Sequence, residues 1–347
     1  MASSSSSASF LLFFLFTSSI LLQFSFPVIK AQNYPPLADG LSWDFYKESC
    51  SDLESYIRDH LKKVFQQDTK VAPSLLHLQF QDCFGQGGCQ GKVLLDKSRS
   101  GTATFQIIED LREIVHSKCG RIVSCADIVT LAARESVYLS GGPQYSVPLG
   151  RKDAVPSKTM DNLSFSATKH GTSPKLHAAI TNADTLLEQF GEKDLDAVDA
   201  VSLLGGHTFG RSHCNSFTDR LYPTQDPLLE NSYANHLKKI CTTSNAANLS
   251  VLDVRTPNIF DNKYYVNLLR HQGLLAIDQD LYTDRRTKPI VTGFAYDVNL
   301  FFDSFVHAVV KLSQMNVLTG SQGVIRANCL AADLGSSLKR SSLVADN

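Results

Sequence analysis

Eight cysteines set the strongest limit on what this chain can fold into. Cys50, Cys83, Cys89, Cys119, Cys125, Cys214, Cys241 and Cys329 all lie behind an apolar leader. That leader passes from a Ser-rich start through Phe10-Leu11-Leu12-Phe13-Phe14-Leu15-Phe16 and Ile20-Leu21-Leu22, and its only charge before Asp39 is Lys30. With small Ala31 placed for cleavage, residues 1–31 read as a secretory signal peptide and the mature chain as starting near Gln32. A membrane anchor is the alternative, but Thr17-Ser18-Ser19 and Gln23 interrupt the apolar run, leaving it short of the ~18 residues a span needs. An even cysteine count in an exported chain argues for four disulfides, although eight cysteines allow 105 connectivities and spacing does not choose among them. Zinc fits poorly. No C-x-x-C occurs, and five residues separate the members of the tight pairs 83/89 and 119/125.

Partners are narrowed by charge. Lys+Arg 33 against Asp+Glu 34 leaves a net charge of -1, with no block of like charges that could track a phosphate backbone, so nucleic acid is excluded. The 43% hydrophobic content of 347 residues is ample for a folded core and excludes intrinsic disorder. Beyond the leader no segment is apolar enough to span a membrane. Two sequons, at Asn162 and Asn248, suit a secreted glycoprotein.

Hydrophobic periodicity predicts a mostly helical fold. Leu53, Tyr56, Ile57, Leu61, Val64 and Phe65 recur at three- and four-residue spacing, as do Ile107, Ile108, Leu111, Ile114 and Val115. Ser124 is positioned to cap a helix through Ala126, Ile128, Val129, Leu131 and Ala132, which Gly141-Gly142-Pro143 stops. Further helices are expected over 199–204 and 301–310, a long polar loop from Val155 to Pro174, and no large sheet.

Chemistry has to come from the ten histidines. His207 ends an apolar segment at Gly205-Gly206, where paired glycines let a flat ligand approach the backbone. The stretch Asp253 to Asp261 offers two carboxylates and a hydroxyl, a donor set for a hard cation such as calcium, and reads equally well as an ordinary polar turn.

Five blocks carry a resemblance: Ser124-Cys125-Ala126-Asp127-Ile128, Leu149-Gly150-Arg151-Lys152-Asp153, Leu204-Gly205-Gly206-His207-Thr208-Phe209-Gly210, Phe260-Asp261-Asn262-Lys263-Tyr264-Tyr265 and Asp278-Gln279-Asp280-Leu281. Together and in this order they resemble the class III plant secretory haem peroxidases. The likeness implies an all-α fold of about a dozen helices in two halves with haem b between them, spanning residues 32–335 ahead of a tail at 336–347. It also implies the bridges Cys50–Cys119, Cys83–Cys89, Cys125–Cys329 and Cys214–Cys241. By the same resemblance His207 is the axial iron ligand and Asp278 its carboxylate partner. Thr208, Asp253, Thr256, Asp261 and the carbonyl of Ile259 match a proximal calcium site, Ser74 a haem-propionate contact, and Phe80 a ring over the haem edge.

The distal side departs from the family pattern. Where members carry an arginine and, four residues later, a histidine that moves the peroxide's proton, this chain has His77 and Gln81. Glutamine hydrogen-bonds but does not titrate, so the general base is missing. The family's loop after this helix is shortened between Asp96 and Phe105. Asp82 is kept from the family's distal calcium set, while Gln90 and Lys92 replace an acid and a hydroxyl and a residue is inserted before Cys89. One calcium ion is therefore expected, the distal one being lost, with the Lys92 ammonium pairing Asp82 in its stead. Near His177 the substrate-channel proline of the family is replaced.

The implied function is a secreted peroxidase, extracellular in the cell wall or alternatively vacuolar, that acts as a monomer on hydrogen peroxide and small phenols with impaired turnover. A haem-binding pseudoperoxidase is the alternative from a different class. A haem-free, disulfide-stapled glycoprotein is the third reading.

Overall fold

Helix α4 (Cys125–Leu139) is the axis of the amino-terminal half, and its residues from Cys125 to Val137 are all buried. Ser124 begins it as expected, its side chain accepting the Asp127 N–H at 3.1 Å. Helix α1 (Leu53–Gln67) lays Leu53, Ile57, Leu61 and Phe65 on one stripe against α4, and α2 (Ala72–Phe80) packs on α4 beside it. Helix α3 (Ala103–Cys119) closes this group.

A helix buried on all sides has to pair its charges internally. Asp127 accepts from the Tyr46 hydroxyl, the Gly150 amide and Arg151, each at 2.9 Å. Arg58 and Arg134 serve Glu135 in the same way.

The computed structural model describes residues 34–85, 87–96, 101–155, 180–242 and 247–331. The expected leader, Asn162, His177, nearly all of the loop expected from Val155 and the 336–347 tail lie outside the described residues. Among the described residues no helix is long and apolar enough to cross a membrane.

The carboxy-terminal half contains α5 (Ala183–Gly191), α6 (Ala197–Leu204), α7 (Asn231–Ile240), α8 (Lys263–Leu269), α9 (Ala276–Thr283), α10 (Lys288–Tyr296) and α11 (Val298–Leu312). Helix α6 opens with a reciprocal cap between Asp196 and Asp199 and packs along α11. Eleven α-helices are thus described, an all-α architecture. The only sheet among the described residues pairs β1 (Arg211–His213) antiparallel with β2 (Leu249–Val251), Ser212 facing Ser250.

The disulfides are Cys50–Cys119, Cys83–Cys89, Cys125–Cys329 and Cys214–Cys241. Cys125–Cys329 spans 204 residues, a closure whose loss of denatured-state entropy corresponds to about 5 kcal/mol in the chain-entropy relation. Arg151 adds a second tie between the halves, donating from Nε and Nη2 to the Ser313 carbonyl at 2.9 and 2.6 Å.

Candidate active site

His207 sits on a 3-10 turn, Gly205–Thr208, that continues α6 and faces α2. A side chain at Gly205 would collide with the Tyr265 hydroxyl and the Phe301 ring, so only glycine lets this turn approach the core so closely. The His207 Nδ1 lies 2.7 Å from Asp278 Oδ1. Asp278 is fully buried and also accepts from the Tyr264 hydroxyl at 3.0 Å and the Leu275 amide at 2.9 Å. Burial alone would raise its carboxyl. The charge of His207 and the hydrogen bonds from His207, Leu275 and Tyr264 outweigh that and hold it below the usual carboxylate range. An ionised Asp278 can only accept, so Nδ1 carries the ring proton and the Nε2 lone pair is the one suited to a metal.

Immediately after His207 the chain gathers oxygen. The Thr208 hydroxyl lies 3.4 Å from Asp253 Oδ2 and 3.3 Å from Asp261 Oδ1, and the Thr256 hydroxyl lies 3.3 and 3.0 Å from the same two atoms. Ile259 turns the chain between Thr256 and Asp261, its amide donating to the Thr256 carbonyl at 3.0 Å. Two carboxylates with two hydroxyls make a hard, all-oxygen donor set, which fits calcium. Among the described residues no cluster of three or more His, Cys, Asp or Glu side chains offers a metal site of another kind.

On the distal side, α2 carries His77 and ends at Phe80, and Gln81 begins a π-helical turn to Gly85. The Gln81 amide still donates to the His77 carbonyl, so the two side chains leave the same face of the helix. Phe80 stacks on Phe84 with centroids 5.1 Å apart, and Phe84 meets Phe190 at 4.6 Å. The Ser74 hydroxyl donates to the Val71 carbonyl at 2.6 Å and accepts from Thr104 at 2.7 Å.

The neighbourhood of Asp82 corrects one expectation. Among the described residues no ion pair joins Lys92 to Asp82. The carboxylate instead accepts the Gly91 amide at 2.7 Å and the Val93 amide at 3.1 Å. Gln90 faces elsewhere, donating to the Asn316 carbonyl at 2.7 Å. Backbone amides solve the problem of a buried carboxylate without a long side chain having to fold back onto it. Burial pushes the Asp82 carboxyl up to about 6, against the pull of the Val93 and Gly91 amides and of Arg326.

Sequence reasoning gave no role to Tyr264 or Asn267. Tyr264 shares Asp278 with His207, and Asn267 Nδ2 donates to Asp253 Oδ1 at 2.7 Å. Tyr264 lies in one of the resemblance blocks, a signal that could have drawn attention to it; Asn267 offered none.

The peroxidase family model matches residues 57–297. "Peroxidase 12" of Arabidopsis thaliana is 47% identical over 322 residues, covering 88% of this chain and 87% of that protein. The chain belongs to the class III plant haem peroxidases. Two further relatives agree. "Cationic peroxidase SPC4" of Sorghum bicolor is 45% identical over 311 residues, covering 86% of this chain and 83% of its own length. "Peroxidase 15" of Arabidopsis thaliana is 37% identical over 316 residues, covering 86% of this chain and 90% of its own length. In this class III peroxidase the helix that carries His77 packs against the turn that carries His207.

Proposed function

We propose that this chain is a secreted haem peroxidase that reduces hydrogen peroxide with small phenolic donors, slowly, because His77 and Gln81 stand in the distal positions. The observation that carries the reading is the buried Asp278 carboxylate on His207 Nδ1 at 2.7 Å. In this reading residues 1–31 are removed on export, residues 32–335 form the working monomer in the cell wall or vacuole, and 336–347 is a tail. His207 would hold haem b, with Ser74 at the position that would meet a propionate, and Thr208, Asp253, Thr256, Ile259 and Asp261 would hold one calcium ion. Asp82 remains from a distal site that no longer binds its ion.

The chemistry that a bound haem supplies is cleavage of the peroxide O–O bond at iron. The proximal residues act before any peroxide arrives. Asp278 fixes the His207 tautomer and makes the imidazole a stronger donor. The calcium ligands Thr208 and Asp253 hold the backbone next to that histidine. On the distal face Gln81 donates its amide N–H to peroxide but cannot take the proton, which forfeits a factor of roughly 10²–10⁴ in rate. His77 stands one helical turn before Gln81, where its imidazole supports developing negative charge by hydrogen bonding. Phe80 excludes water with Phe84 beside it. Peroxide reduction is therefore slow.

The missing base also favours a second reading, a haem-binding pseudoperoxidase. Haem titration tests what both share: one haem per chain with a Soret band, lost in His207→Ala. A His207→Ala variant that binds haem with an unchanged spectrum would overturn them together.

A further inference from the structure

Away from His77, Gln81 and His207, a pocket of 310 Å³ opens at the surface between α8 and α10, lined by Val266, Leu269, Arg270, Tyr282, Ala295 and Tyr296. Its contents are unlike ordinary surface. Tyr296 is 82% exposed, which leaves its ring without packing partners of its own. The Arg270 guanidinium makes no hydrogen bond or ion pair among the described residues. Lys288 lies over one face of Tyr282 at 4.8 Å, and no acidic residue lines the pocket. Positive charge, two phenol rings and an apolar floor of Val266, Leu269 and Ala295 are complementary to a planar aromatic ring carrying a carboxylate.

The pocket backs onto the aromatic core that leads to His207. Val266 follows Tyr265, and Ala295 follows Phe294. The Phe294 and Tyr265 rings are 5.1 Å apart, Tyr265 and Tyr264 are 5.0 Å apart, and Tyr264 stands edge-on to the His207 ring at 6.0 Å. Each step is an ordinary aromatic contact, and the run of rings leads from Phe294, the chain neighbour of the pocket residue Ala295, to the proximal histidine.

We propose that this pocket is a second donor site, on the proximal side, for a hydroxycinnamate-type acid, a planar phenol bearing a carboxylate. Arg270 pairs the carboxylate, and Tyr296 and Tyr282 flank the ring. The donor role rests on the peroxidase reading; binding does not. Two bound phenols, taken in turn, each give one electron through this run of rings and one proton to solvent. Hydrogen peroxide accepts both electrons and two protons to become two waters, and two phenoxyl radicals leave.

Equilibrium dialysis of ferulate against the haem-loaded protein, without peroxide, tests binding directly. Arg270→Ala is expected to weaken ferulate binding roughly fivefold, as is replacing ferulate by its methyl ester. Tyr296→Ala, at a surface position, is expected to weaken both ligands. Equal affinity of wild type and Arg270→Ala for ferulate, or of ferulate and its ester for wild type, would overturn the site. A second measurement separates site from reaction. With peroxide present, Arg270→Ala is expected to lower kcat/KM for ferulate roughly fivefold while the neutral donor guaiacol changes less. Equal losses for both donors overturn the donor role. Arg270-dependent binding in a protein that consumes no peroxide with any donor overturns the peroxidase reading, and the donor role with it, while the carboxylate pocket stands.

Discussion

Acid should stabilise this protein through Asp82, and the sign of that effect reports whether a cation occupies the distal site. Asp82 is 1% exposed, and its carboxyl is pushed from 3.8 to about 6 by burial. In the unfolded chain the group ionises near its ordinary value, so between about pH 4 and pH 6 the native state binds more protons than the unfolded one. The contribution is fully present below the unfolded pKa and is lost as pH rises through about 6. About two pK units at about 1.4 kcal/mol each give about 3 kcal/mol over the whole window. Roughly 1 kcal/mol of it falls between pH 7 and pH 5. Urea unfolding of wild type and Asp82→Asn in calcium-containing buffer isolates the term, since the other titrating groups cancel in the difference. The wild type should gain on the variant by roughly 1 kcal/mol at pH 5 relative to pH 7. A bound cation reverses the sign: it keeps Asp82 ionised in the native state, and acid then erodes the wild-type advantage. A difference that shrinks on acidification, or one that ignores pH, would refute the account of Asp82 as an ion-free carboxyl.

Three other outcomes follow from the site. Restoring the family's pair with His77→Arg and Gln81→His should speed the first reaction with peroxide by about 10²–10⁴, read by rapid-mixing absorbance; an unchanged rate would place the defect elsewhere. Asp278→Asn should raise the haem reduction potential, because an amide oxygen polarises the His207 N–H less than a carboxylate does. Spectroelectrochemistry measures it, and an unchanged or lower potential counts against the pairing. Metal analysis after gel filtration should find one calcium per chain in wild type and none in Asp253→Asn, with two ions in wild type contradicting the loss of the distal site.

Much of this was legible in the sequence, for reasons that differ by element. The stripe on α1 and the cap at Ser124 were readable because they are local: i, i+4 spacing and a side chain three residues from its donor. Helices α8 and α9 were not read as helices because polar Asn267, Asp278 and Gln279 share their buried faces and interrupt the apolar period. The disulfide pairing came from resemblance and not from spacing, since Cys125 and Cys329 are 204 residues apart. His207 and Asp278 were visible as motif positions, yet Tyr264 on the same carboxylate and Asn267 on Asp253 join the site through tertiary contacts that no local pattern encodes. The pairing of Lys92 with Asp82 failed because sequence shows charges and hides amides: the Gly91 and Val93 N–H groups had already taken both carboxylate oxygens.

The most direct test of the central claim is stopped-flow absorbance of the haem-loaded protein mixed with hydrogen peroxide between pH 4 and pH 8. The account predicts a Soret change that is slow for this family and reversed by a phenol. A ferric spectrum untouched by peroxide across the whole range would contradict it and leave a haem-binding protein without peroxidase chemistry.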